Sequence, residues 1–203
     1  MHISEGVLSS PVLMAGAVGC VAGLGIGLRR LEAEQIPMVA LLSSTFFLAS
    51  LIHVPVGPTS VHLILNGFCG LLLGWYAFPA IFIGVALHAM LFQFGGFTTL
   101  GVNTCTMAVP AVACGFLFHS MVMSEKRIIQ VVSAFACGAC PVLLSALMVA
   151  CALVTTGEAF TEVAYVAVLA HLPVMVIEGF ISLTCVCFLR KVRPKILEAA
   201  YAS

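Results

Sequence analysis

The 203-residue chain is predicted to be an all-α integral membrane protein of about seven transmembrane helices. It forms a single membrane domain over residues 1–203, with its N-terminus outside and its C-terminus cytoplasmic. Three observations predict this. Hydrophobic residues make up 62% of the chain and charged residues only 8%, against roughly 25% charged in soluble domains. Seven apolar runs approach the roughly 20 residues that a spanning helix needs. The eight Lys and Arg residues then fall on one side of the membrane, as expected of cytoplasmic loops.

The elements follow in order. The first run, Pro11–Leu28, ends at Arg29 and Arg30, which stop it on the inner side. The second, Ile36–Ile52, returns outward. The third, His62–Gly74, is short and could be partly inserted; the fourth is Ala77–Phe94. The fifth, Met107–Met123, meets Lys126 and Arg127, from which the sixth, Ile128–Val154, departs. The seventh, Val163–Leu189, is followed by Arg190, Lys191, Arg193 and Lys195. The outer side then receives the N-terminus and the loops VPVGPTSV, GGFTTLGVNT and TGEAFTE. Polar, Gly- and Pro-rich backbone near membrane depth is tolerated only in protein or beside a polar cavity, so the expected site is extracytoplasmic and built from these pieces.

Several function classes are excluded by composition. The formal net charge is zero, so no nucleic acid or other polyanion is an implied partner. Nine cysteines lie almost wholly in apolar runs, where Cys acts as a small hydrophobe. Cys137 and Cys140 spell CGAC, but without a second pair or a nearby His the spacing reads as packing. The chain has no GxxxxGK[ST] phosphate loop, no HExxH and no GxSxG, so neither an ATPase nor a hydrolase reading has a motif to rest on.

The opening, MHISEGVLS, is unlike a secretory signal, which starts basic and runs apolar to a small-residue cleavage site. It is expected to be retained, with Met1 kept because His2 is too large for N-terminal trimming. The Met1 amine, the His2 amide nitrogen and the His2 Nδ1 can close a five- and a six-membered chelate ring on one ion. A fourth nitrogen completes a square-planar set, which suits Ni(II) or Cu(II) and can be adopted by Co(II). His62 is the best-placed fourth donor and His53 the second.

These residues also carry a resemblance. MHISEGVLSSPVL, VPVGPTSVHLILNG and LFQFGGFTTLGVNTCTMAVP, with HLPVMVIEG near the end, resemble the CbiM/NikM family over essentially the whole chain. That family is the substrate-binding membrane component of energy-coupling-factor transporters for cobalt and nickel. The resemblance implies that Met1, His2 and His62 bind Co(II) or Ni(II) as transported substrate and leaves His53 beside the site. It implies a transmembrane coupling subunit, ATP-binding ATPase subunits and a small CbiN/NikN-like membrane subunit as partners. It also implies a multi-pass protein of a prokaryotic cytoplasmic (inner) membrane, in contact with membrane lipid.

Other residues admit two readings. Thr59 and Ser60 could orient the ligating imidazole or cap the third helix. Gln93, Thr98, Thr99, Asn103 and Thr104 could fold the outer loop over the metal or satisfy its backbone. His88 and His119 read as packed residues. Glu178, the one acid well inside a span, shares a helix face with His171 and reads as a hydrogen-bonding group ahead of a proton relay. Gly19, Gly23 and Gly27 form a small-residue face for close approach, which reads equally as packing within the chain or docking on another subunit and which the resemblance assigns to docking on the coupling subunit. Two rivals remain: a self-sufficient secondary transporter or channel for divalent cations, using Glu178, Glu158 and Glu162, and an intramembrane metalloenzyme using His2, His53 and His62.

Overall fold

The computed structural model describes residues 1–199. The helices are α1 Ser10–Arg30, α2 Ile36–Ala49, α3 Asn66–Leu73, α4 Ala77–Phe92, α5 Leu100–Val122, α6 Arg127–Thr156, α7 Thr161–Val192 and α8 Pro194–Ala199, with an antiparallel hairpin of β1 His53–Val56 and β2 Thr59–His62. The molecule is therefore mostly helical, as expected. Five helical stretches are long and apolar enough to cross a membrane, namely Ser10–Arg30, Asn66–Phe92, Leu100–Val122, Arg127–Thr156 and Glu158–Val192, and a shorter apolar helical stretch covers Ala33–Ala49.

The hairpin corrects the purely helical expectation. HVPV and TSVH pair with His53 opposite His62 and Val56 opposite Thr59, around a turn in which Gly57 takes φ 56°. That left-handed conformation suits glycine, which has no Cβ to clash. β2 ends on His62, the residue expected to start the third helix, and Leu65 turns left-handed at φ 53° before α3 begins at Asn66. α3 is thus eight residues, about 12 Å of rise, far less than the roughly 30 Å of a bilayer core. It runs through the protein interior. A Cβ on Gly67 would overlap the Cys137 carbonyl of α6, and one on Gly70 the Ala111 carbonyl of α5, so only glycine lets α3 lie this close to both.

α5 begins at Leu100 rather than Met107, which puts Asn103 and Thr104 on a helix and shortens the outer loop. α1 crosses α4 and α5 through its small residues. Gly23 and Gly27 are buried; a Cβ on Gly23 would overlap the Phe78 ring, and one on Gly27 would come within 2.8 Å of Pro79 and of the Trp75 carbonyl. Gly19 faces Cys105 of α5, 3.2 Å from an added Cβ. Gly19, Gly23 and Gly27, expected as a docking face, thus make close approaches within the chain, and Gly19 and Gly23 also border an apolar groove shared with Trp75 and Phe116.

Contacts define two ends of the bundle. At one, Tyr76 donates to the Arg30 carbonyl at 2.7 Å, and Arg190 donates from Nη1 to the carbonyls of Val122 and Ser124, both at 2.8 Å. At the other, the N-terminal arm lies against the hairpin and the loop after α4: Ser4 N–H donates to the Pro58 carbonyl, Glu5 N–H to the Gly95 carbonyl, and Ser9 N–H to Thr156 Oγ1.

Candidate metal-binding site

The N-terminal arm enters the protein instead of fraying. Met1 and Ile3 are fully buried and His2 nearly so, which is unusual for a chain end. Asn103, in the first turn of α5, explains how the arm is held. Its Oδ1 accepts the Ile3 N–H at 2.8 Å and its Nδ2 donates to the Ile3 carbonyl at 3.1 Å, so one side chain pairs both main-chain groups of residue 3 as a neighbouring strand would. Asn103 Nδ2 also donates to Thr99 Oγ1 at 3.2 Å. Gly95, at φ 82°, leaves this amide its space; a Cβ there would stand 2.7 Å from Asn103 Nδ2. The Thr98 N–H donates to Glu5 Oε1 at 3.3 Å, closing the loop over the arm.

This threading brings Met1, His2 and His62 together. The Met1 amine contacts His62 Nε2 directly. His62 Nδ1 donates to the Leu63 carbonyl at 2.8 Å, which leaves a lone pair on Nε2, the atom facing the amine. The His2 ring lies 4.9 Å from the His62 ring, centroid to centroid, with 21° between planes, and 5.0 Å from His88 with 65°. Both ring nitrogens of His2 are buried without a hydrogen-bond partner. Burial penalises the cationic forms of all three donors. It holds the amine well below its ordinary 8.0, against the pull of Glu178, and holds His2 and His62 well below 6.5, with the nearby amine pushing the same way. The donors are therefore poised as free bases. Among the described residues no three His, Cys, Asp or Glu side chains are arranged to hold a metal.

The surrounding residues separate by what they touch. His53, Thr59, Ser60 and Gln93 line a cavity of about 130 Å³ together with His2, Phe94 and Gly95. Thr59 is buried with its hydroxyl unpaired, and Thr59 and Ser60 lie on β2, so neither caps α3. His53 donates from Nδ1 to the Leu51 carbonyl at 3.2 Å and rests on Phe94 at the rim. Gln93 is exposed, in a left-handed turn ending α4. Thr104 is buried against Cys20 of α1. His119 hydrogen-bonds the Leu197 carbonyl at 2.7 Å, at the opposite end.

Two contributions were not legible as such. Glu178 of α7 accepts the N–H groups of Ile64 and Leu65, the latter at 2.9 Å, and so fixes the chain immediately after His62. Its isolation as an intramembrane acid flagged it, but the partner is a loop rather than a helix. His88 is 86 positions from His2, and nothing in its local sequence points to that contact.

A family model described as the CbiM cobalt uptake substrate-specific transmembrane region matches residues 2–196. The chain belongs to the CbiM family. A relative in Haemophilus influenzae (strain ATCC 51907 / DSM 11121 / KW20 / Rd), provisionally named a metal transport protein, is 41% identical over 98% of this chain and 97% of its own length. A longer relative in Archaeoglobus fulgidus (strain ATCC 49558 / DSM 4304 / JCM 9628 / NBRC 100126 / VC-16), provisionally named a fused nickel transport protein NikMN, is 25% identical over 98% of this chain and 68% of its own. The crystal structure of a transition metal transporter shares the fold of this CbiM-family chain, with a TM-score of 0.74 at 21% identity, covering 99% of this chain and 98% of that one. The chain thus belongs to a family of cobalt-uptake transmembrane regions.

Proposed function

We propose that this CbiM-family protein captures Co(II) or Ni(II) on the extracytoplasmic face with four nitrogens: the Met1 amine, the His2 amide and Nδ1, and His62 Nε2. The observation that carries this reading is the buried amine set against His62 Nε2, with the unpaired His2 ring alongside. In a square set with bonds of about 2 Å, adjacent donors lie roughly 2.8 Å apart, so an amine touching an imidazole nitrogen suits neighbouring corners. The His2 chelate rings occupy the remaining two. The amide must lose its proton for this, and a neutral amine and neutral imidazoles spare the ion competition from other protons.

The N-terminus lies outside and the C-terminus in the cytoplasm of a prokaryotic cell, with α3 and the extended residues before it serving as the third of seven passes. Support comes from Arg30, Ser124 and Arg190, whose contacts gather the basic turns at the end away from Met1. Delivery inward takes place in an energy-coupling-factor complex with a transmembrane coupling subunit, ATPase subunits and a small NikN-like subunit; the fused name of the Archaeoglobus relative supports the last. A self-sufficient cation path lacks support, because both oxygens of Glu178 are already taken by main-chain N–H groups. Reconstitution into vesicles tests this: Ni(II) or Co(II) uptake should require the coupling and ATPase subunits with ATP, and uptake by this chain alone would overturn it.

A further inference from the structure

On the ligand set proposed above, the metal takes only the Nδ1 of His2. The Nε2 then carries the ring's proton, and metal-bound imidazoles donate that N–H to an acceptor that fixes the ring. The usual acceptor, a carboxylate, is committed elsewhere: Glu178 to Ile64 and Leu65, Glu5 to Thr98. We propose that His88 is the positioning residue for His2, its Nδ1 accepting the His2 Nε2–H once the metal is bound.

The chemistry of the His88 ring supports the direction of this bond. Its Nε2 lies 2.9 Å from the Phe47 carbonyl oxygen, which can only accept, so Nε2 carries the proton and Nδ1 of the neutral ring presents a lone pair. That Nδ1 is buried and unpaired. The His2 and His88 centroids are 5.0 Å apart, within reach of an N–H···N bond of roughly 3 Å that the two rings do not make here and that a small turn of the His2 ring onto the metal would close. Phe47, stacked on His88 at 4.8 Å, with Phe46 and Phe94 each at 6.1 Å, holds the ring in place. The result is a directed relay from His2 through His88 to the Phe47 carbonyl. The other buried imidazole lone pair, His171 Nε2, does not compete in this way: its influence falls on His62, whose second nitrogen already donates to Leu63.

The inference rests on the proposed ligand set, and nuclear magnetic resonance of the full chain separates the two. Square-planar Ni(II) is diamagnetic, so the ¹⁵N-imidazole spectrum of the Ni(II)-loaded protein in micelles reports each ring nitrogen. We expect His2 Nδ1 to shift as a ligand and the His2 Nε2–H to show a nitrogen–nitrogen coupling to His88 Nδ1. His88→Leu should abolish that coupling and weaken Ni(II) binding about 10- to 100-fold. His88→Asn, whose side-chain oxygen stands near the Nδ1 position, should recover most of the affinity. A coordinated His2 whose Nε2–H is coupled to another group, or to none, overturns the role of His88 even if the leucine variant fails to fold. So does unchanged affinity in a folded His88→Leu. Ni(II) bound without His2 Nδ1 overturns the ligand set, and the role of His88 with it.

Discussion

Two sets of buried polar groups occupy the N-terminal end of this protein, and they differ in whether they are satisfied. Glu178 and Asn103 have their partners: each binds main-chain groups next to a proposed ligand, Glu178 after His62 and Asn103 after His2. His2 and His88 leave three ring nitrogens buried and unpaired. An unmade hydrogen bond on a buried group costs about 1–3 kcal/mol, so a fold gains nothing by keeping three together unless something else fills them. Satisfied groups here hold the chain; of the unsatisfied ones, on the reading proposed above, His2 Nδ1 takes a bond from the metal and the other two then bond each other.

That contrast can be broken by substitution. His2→Ala should reduce Ni(II) and Co(II) binding below detection in equilibrium dialysis, since it removes the chelate anchor, and His62→Ala should weaken binding by more than about 100-fold, the upper range for loss of a mere orienting contact. Retention of wild-type affinity by either would move that residue to the structural set. Gly23→Leu tests the opposite region, where no polar group is involved. Its side chain would collide with Phe78, and we expect destabilisation of about 1–3 kcal/mol or more, read as a lower thermal midpoint in detergent, with metal stoichiometry kept in the folded fraction. An unshifted midpoint would show that α1 can move away from α4.

Asn103→Leu should fall between ligand and scaffold. It frees both main-chain groups of Ile3, costs about 1–3 kcal/mol and weakens Ni(II) binding while one ion per chain is still bound. Complete loss of binding in a folded variant would make Asn103 part of the ligand set. The smallest effect is that of pH on the metal-free protein. The Met1 amine and the His2 and His62 rings are all held below their ordinary values by burial, so at these three groups the unfolded chain binds more protons than the folded one. Stability should therefore fall as pH drops below 8.0, through the amine, and more steeply below 6.5, through the imidazoles. A thermal midpoint that is flat from pH 8 to 7, the range in which the unfolded amine takes up its proton, would contradict the burial of that amine. By the same sign, metal binding should persist to lower pH than an ordinary terminal amine allows.

The long helices were legible because a bilayer demands apolar length, and α1, α6 and α7 differ from their expected spans only at the ends. The hairpin was not, because HVPVGPTSVH reads as a turn-rich loop, and its four-residue strands show too little alternation to stand out. The third helix was shortened for another reason: His62 through Leu65 is as apolar as a helix start, and only the left-handed Leu65 and the tertiary clamp from Glu178 on the Ile64 and Leu65 N–H groups show that the helix begins at Asn66. At the site, the chelating logic of residues 1 and 2 is local and visible in sequence. Their meeting with His62 across 60 positions, the Asn103 clamp and the His88 contact depend on the arm's path into the protein, which no local pattern encodes. The glycine row of α1 promised a close neighbour without naming it, and the structure names Phe78 and Pro79.

The central claim is that the Met1 amine is itself a ligand, and one added residue tests it most directly. Joining a single alanine ahead of Met1 converts the amine to a peptide nitrogen and displaces the five-membered ring from His2. Ni(II) binding by the purified chain should be lost, and should return when a protease regenerates a Met1 terminus, whereas an alanine added after Ser203 should change nothing. Full-affinity binding by the uncleaved extended chain would contradict the account and leave His2, His62 and their neighbours as an ordinary imidazole site.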